Sequence, residues 1–354
     1  MAKKAYLVLE NGMVFAGVQA GADIEAVGEA VFSTGVVGYL ETLTDPAYTG
    51  QIVIHTFPLI GNYGTISADL GEKCTVRGYV CREICEDPSN FRTDSSLIEY
   101  LKKENICVLT GVDTRALTRV LRDNGTMNAK ICAEIPENTD DIRSYTIGRA
   151  FAEAGCTEKT VYPAKGEENY RVTVLDCGVT GDIIEALTER GCTVTRVPYD
   201  TTVEEIFVGG PDGIVLSPGP GDPAQCSGVI HEIRKLIGKR PVFGIGLGHQ
   251  LAALASGAKT VKLPYGHRGL SQPVRQVGGT RTYITAQNHG YAVVPESLPL
   301  GARVSYVNAN DRTCEGVDYR GQKCFTVQFT PNADTSFLYD QFVTMMGGSR
   351  NAQR

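Results

Sequence analysis

Along residues 1 to about 145, apolar positions come in short bursts of the kind that build strands, not in long helical stripes. AYLVLENGMVFAGV carries two such runs with Asn11 and Gly12 between them, a pair that favours a tight hairpin turn. GQIVIHTFPLIG, KCTVRGYVC and ICVLTGV repeat the strand-like pattern. In DTRALTRVLRDNGT the spacing turns helical: Ala116, Leu117, Val120 and Leu121 recur at helical intervals, and Asp113 or Thr114 is placed to cap the start. Arg115, Arg119 and Arg122 share a face of the same helix, as surface charge or as a partner contact.

The stretch from 146 to 170 is more polar, holds Pro163 and Gly166, and reads as a linker. From Arg171 the pattern becomes strand and helix in alternation: RVTVLDCGV, DIIEALTERG, CTVTRVPYD, GIVLSPGP, GVIHEIRKLIG and PVFGIG with its helix. Further strand-like runs follow, and SFLYDQFVTMM reads as a closing helix. The expected fold class is α/β: an N-terminal α/β domain with β-rich segments over 1–145, then a doubly wound, mostly parallel sheet over 171–354. In such a sheet the loops at the strand C-terminal ends form the site.

Composition narrows the classes of function. A chain of 354 residues with 42% hydrophobic and 21% charged residues has the profile of a globular protein with room for two cores. A formal charge of −6 gives no reason to expect nucleic acid. The opening MAKKAYLVLENG has an apolar run too short for a signal peptide or a spanning helix, so no membrane association and a cytoplasmic location are expected. The eleven cysteines are odd in number and scattered, which suits reduced, buried thiols. Cys81 and Cys85 in CREIC lack further ligands at useful spacing, and no metal site is read from the sequence.

The candidate chemistry centres on PVFGIGLGHQLAALASG, residues 241–257. A β-rich run passes through a sharp turn into a helix, the pattern that lifts a nucleophile above a parallel sheet, and here the apex is Gly246. Glycine has no sulfur or oxygen, so no acyl intermediate can form there. The glycines at 244, 246 and 248 resemble a dinucleotide fingerprint, but His249 falls where its third glycine belongs, and no Asp or Glu follows before Glu296 to hold a ribose. His249 reads as a structural hydrogen-bonding residue and His289 as one that orders its loop. The basic run from Arg234 to Arg281 holds nine Lys or Arg and no acids, a solvated face or a partner surface.

LSPGPGDP (216–223), PVFGIGLGHQLAALASGAK (241–259), ITAQNHGYAV (284–293) and FTVQFTPNAD (325–334) together resemble the class I glutamine amidotransferase domain. FSTGVVGYLETLTDPAYTGQIV (32–53), PLIGNYG (58–64) and GVDTRALTRVLRDNGTMNA (111–129) are similar to the amino-terminal domain of the carbamoyl phosphate synthetase small subunit. The resemblance implies a subunit that hydrolyses glutamine and passes ammonia to a large synthetase subunit. ATP, magnesium and bicarbonate would be bound by that large subunit, with no cofactor on this chain, in pyrimidine or arginine synthesis.

Residue by residue, the family's cysteine falls on Gly246, its histidine on Thr330 and its glutamate on Asn332. Gly219, Gly221, Leu247, Gln250, Asn288, Gly290 and Tyr291 match positions that surround glutamine in the family, whereas Ala47 stands where the family carries a serine. Thr180, Asp182 and LSQPV (270–274) also depart from the family pattern. So many coordinated changes point to natural loss of the glutaminase centre instead of one inactivating substitution. Two roles stay open: a non-hydrolysing small subunit supporting ammonia-dependent synthesis, or a repurposed module that binds glutamine, another small ligand or a partner.

Overall fold

The Asn11–Gly12 turn joins β1 (Lys4–Leu9) to β2 (Val14–Gly21) as antiparallel neighbours, with Gly12 at φ 87°, a backbone that glycine adopts without penalty. The computed structural model describes residues 3–353, without the side chains of 349–353. Two units cluster separately, Met1–Gly148 and Arg149–Arg354.

In chain order the first unit continues with β3 (Ala26–Ser33), α1 (Tyr39–Thr44), β4 (Gln51–His55), β5 (Leu59–Ile60), β6 (Gly78–Val80) and β7 (Glu83–Ile84). It then has α2 (Leu97–Lys103), β8 (Cys107–Thr110), α3 (Thr114–Asn124), β9 (Met127–Cys132) and α4 (Asp140–Ser144). The strand-rich pattern closes into a barrel in the order β1-β2-β8-β6-β4-β3-β9, and β5 and β7 pair as a separate parallel ribbon. Leu7, Ile52, Leu109 and Ile131 fill one core cluster, and α3 adds Leu117 and Leu121 to it. Asp113 is the helix cap, its carboxylate accepting from the Ala116 N–H at 2.9 Å.

The polar stretch read as a linker is structured from residue 149 onward as part of the second unit. It forms α5 (Ala150–Ala154) and the edge strand β10 (Thr160–Tyr162). Phe151, 2% exposed, anchors it in the core and meets Tyr199 edge-on at 5.1 Å. One buried aromatic in a polar segment is a weak signal in sequence but enough to dock it.

The second unit alternates β11 (Tyr170–Asp176), α6 (Gly181–Thr188), β12 (Cys192–Pro198), α7 (Val203–Val208), β13 (Gly213–Leu216), α8 (Ser227–Leu236), β14 (Val242–Ile245) and α9 (Leu247–Ala255). There follow β15 (Thr260–Gln276), β16 (Thr282–Val293), β17 (Ala302–Asn308), β18 (Cys314–Tyr319), β19 (Cys324–Val327) and α10 (Phe337–Gln353). The sheet runs β10-β12-β11-β13-β14-β19-β18-β16-β15-β17. Its strands β12, β11, β13, β14 and β19 are mutually parallel, while β10 and the lobe formed by β15 to β18 pair antiparallel. Successive residues serve opposite faces: Ile214 and Val242 join the core under α7, α8 and α9, whereas Val215 and Phe243 join the core under α6 and α10. This covering of both faces is the doubly wound arrangement expected from the sequence. The C-terminal ends of β11, β13 and β14 deliver Asp176, Ser217 and Gly246 to one rim.

Candidate functional site

The turn after β14 keeps the backbone of a nucleophile elbow. Gly246 sits at φ 58°, ψ −114°, and its N–H donates to the Val327 carbonyl at 2.9 Å, tying the apex to β19. The flanking glycines are required by contact. A Cβ at Gly248 would stand 2.2 Å from the Leu216 carbonyl oxygen, and one at Gly244 would stand 2.8 Å from Thr326 Cγ2. Close approach of strand to helix therefore accounts for the glycine run, without a nucleotide.

The loop after β13 packs against this turn. A Cβ on Gly219 would lie 2.5 Å from the Cys177 carbonyl oxygen, and Gly221 has φ 94°. Asp222 caps the following 3₁₀ turn by accepting from the Ala224 N–H. Beneath it, Asp176 accepts from the N–H groups of Gly178, Val179 and Cys156 and from Arg196 Nε. Thr180 is the N-cap residue of α6, and its buried hydroxyl has no hydrogen-bond partner among the described residues.

Thr330 follows β19 and forms an isolated bridge with Ala286, its N–H donating to the Ala286 carbonyl at 3.1 Å. Asn332 is exposed and committed to local structure. Its Oδ1 accepts from the Asp334 N–H and the Thr335 hydroxyl, and its Nδ2 donates to the Ile284 carbonyl at 2.9 Å. Neither side chain can serve as a general base near neutral pH.

Gln250, 3% exposed, spends its amide N–H groups on the Tyr291 carbonyl at 2.8 Å and on Gln328 Oε1 at 2.9 Å. Leu247 is buried at the head of α9. Gly290 faces Arg268, whose Nη2 would stand 3.4 Å from a Cβ there. Asn288 differs from the others, because both atoms of its amide are buried and neither has a hydrogen-bond partner among the described residues. Ala47 belongs to the first unit, buried in the 3₁₀ turn Pro46–Tyr48.

His249 is fully buried, and its Nδ1 meets Thr326 Oγ1 at 2.7 Å. Thr326 Oγ1 also lies 3.3 Å from the Val317 carbonyl, and burial lowers the His249 pKa to about 3. His249 is a neutral structural imidazole, as the sequence suggests. Cys226, the nearest thiol to the glycine loop in sequence, is buried, its pKa pushed up to about 12 by desolvation. Burial likewise raises the Cys324 thiol. Neither is a thiolate near neutrality.

A group that sequence reading missed lies in the antiparallel lobe. His267 on β15, His289 on β16 and Glu315 on β18 bring their side-chain donor atoms within 4.8 Å of one another. Glu315 has no exposure, and burial raises its carboxyl pKa against the opposing pull of His267. Burial also drives His289 well below the usual imidazole range, with the charge of His267 adding to it. For His267 burial acts downward, but the hydrogen bond and charge of Glu315, then Asp311, raise it overall. The available signal was a glutamate between Cys314 and Gly316 in a strand otherwise fit for burial.

Comparison with known sequences agrees with this architecture. Residues 7–131 match the family described as carbamoyl-phosphate synthase small chain, CPSase domain, and residues 173–342 match glutamine amidotransferase class-I. The carbamoyl phosphate synthase small chain of Bacillus thuringiensis subsp. konkukian is 45% identical over 353 residues, covering 97% of this chain and 96% of that one. The protein of the same name from Clostridium perfringens is 44% identical over 349 residues, 96% of this chain and 99% of the other. That of Listeria monocytogenes is 41% identical over 371 residues, 99% of each.

Proposed function

We infer the function from one premise: this chain belongs to the carbamoyl phosphate synthase small chain family and carries that family's amidotransferase domain. On our reading it is a non-hydrolysing small subunit. It pairs with a large synthetase subunit and supports carbamoyl phosphate formation from ammonia, with ATP, magnesium and bicarbonate handled by the large subunit. The observation that carries the reading is Gly246 at the elbow apex. Releasing ammonia from glutamine by this route needs a thiolate to attack the carboxamide carbon and an imidazole to protonate the departing nitrogen. Gly246 has no side chain, Thr330 has no imidazole, and the Asn332 amide is occupied by its own turn and by Ile284.

A second reading rests on Asn288, whose amide offers a donor and an acceptor that no described residue takes up. The pocket would then hold a small polar ligand, glutamine or an analogue, without turning it over. The family also fits the rest of the picture: no helix among the described residues is long and apolar enough to cross a membrane. A cytoplasmic heteromer in pyrimidine or arginine synthesis is the setting we propose.

The test is carbamoyl phosphate formation by this chain with its large subunit, supplied in parallel with glutamine or ammonium. Ammonium-dependent activity that this chain stimulates, with none from glutamine, is expected. Synthesis from glutamine would overturn the reading. Absence of any association would shift the weight to the ligand-binding module.

A further inference from the structure

The His267, His289 and Glu315 side chains face one another, and Glu315 Oε1 also accepts from the Thr313 hydroxyl at 3.3 Å. His289 Nδ1 lies 2.8 Å from the Tyr291 carbonyl oxygen, which only accepts, so Nδ1 carries the proton and Nε2 presents a lone pair. His267 Nε2 lies 2.9 Å from Asp311 Oδ2 and is held as a donor in the same manner. The Nδ1 of His267 therefore also turns inward, and Asn308 Nδ2 approaches it from the donor side at 3.4 Å. Both imidazoles thus have their outer N–H fixed by an oxygen, the arrangement that orients metal-bound histidines.

The inner atoms converge. His267 Nδ1 is 3.2 Å from His289 Nε2 and 3.3 Å from Glu315 Oε1, and His289 Nε2 is 3.8 Å from Glu315 Oε1. Two nitrogen donors and a carboxylate around a tetrahedral zinc ion, at bond lengths of about 2.0–2.2 Å, stand roughly 3.3–3.5 Å apart. Glu315 Oε2 is buried and has no hydrogen-bond partner among the described residues. Two lone pairs and a desolvated carboxylate at this spacing repel unless a cation sits between them. Gln287 Oε1, 3.1 Å from His289 Nε2, offers a fourth donor atom, a second oxygen. The His267 side chain, 11% exposed, leaves a path from solvent.

We propose that His267, His289 and Glu315 form a binding site for one divalent transition-metal ion of the zinc class. The ion would cross-link β15, β16 and β18 in the antiparallel lobe. A proton on His267 is the competing way to supply the cation, and that is the outcome the experiment separates.

The test uses the full chain, stripped with a chelator and titrated with cobalt(II) and then zinc(II). One equivalent of cobalt per chain is expected, with the intense visible bands of tetrahedral coordination, displaced by zinc and absent in Glu315→Gln and His289→Gln. Zinc is expected to raise the Tm of the stripped chain by roughly 5 °C or more, and of neither variant. X-ray absorption on the zinc-loaded wild type, which does not depend on any variant folding, should report two imidazoles and oxygen with no sulfur. A thiolate charge-transfer band, sulfur in the coordination shell, or no binding at micromolar metal would overturn the proposal and leave His267 protonated in the cluster.

Discussion

Gly246 faces Pro218 so closely that a Cβ built on it would stand 3.0 Å from Pro218 Cβ and 3.2 Å from Pro218 Cα, on a backbone at φ 58°. Any side chain there meets both a steric and a conformational cost, the latter about 1–2 kcal/mol for an L-residue in the left-handed region. Gly246→Cys is therefore expected to lower stability by about 1–2 kcal/mol and to leave glutamate release at background. Adding Thr330→His and Asn332→Glu removes the donation from Asn332 Nδ2 to Ile284, with a further loss of about 0.5–1.5 kcal/mol. Denaturant titration and a glutaminase assay check this together. Turnover in the single Gly246→Cys variant would reveal a base that the present reading lacks.

Arg196 Nε donates to Asp176 Oδ2 at 2.6 Å, with 8% and 0% of their side chains exposed. Breaking such a pair leaves one charge buried without its partner, at a cost of about 3–5 kcal/mol. Arg196→Met should show this as a fall in urea midpoint. An unchanged midpoint would mean that the three backbone N–H donors around Asp176 hold its charge without help.

His249 sets a pH dependence. Its folded pKa, near 3 through burial, is below that of the unfolded chain, so the unfolded state takes up the proton first as pH falls. Stability contributed by the neutral ring is complete above about pH 6.5 and declines towards pH 3, by up to about 1.4 kcal/mol per pH unit. His249→Asn retains a hydrogen-bonding group for Thr326 and should flatten that limb of the stability profile. An identical profile in wild type and variant would remove His249 as its source.

The elbow was legible because its constraints are local: Gly244, Gly246 and Gly248 mark a strand, turn and helix within a few residues, and their contacts bear this out. The capping of α3 by Asp113 was legible for the same reason. The His267, His289 and Glu315 cluster was not, because three separate strands, β15, β16 and β18, bring it together. In addition, the β15–β16 register shifts between Lys262 and His267 and again between Gly269 and Gln272. Strand pairing with two irregularities cannot be counted off along a chain. Residues 149–170 escaped for a third reason: their polarity hides Phe151, the aromatic that anchors α5 in the core.

The left-handed turn at Gly246 makes change at this position directional. A fold that holds a reactive side chain in a strained backbone relaxes when that side chain is deleted, so loss runs downhill in conformational energy. The reverse change runs uphill, against Pro218 and against the capping role that Asn332 plays in its own turn. A glycine apex thus behaves as a ratchet: such a scaffold persists without a side chain at this position more easily than it can accept one.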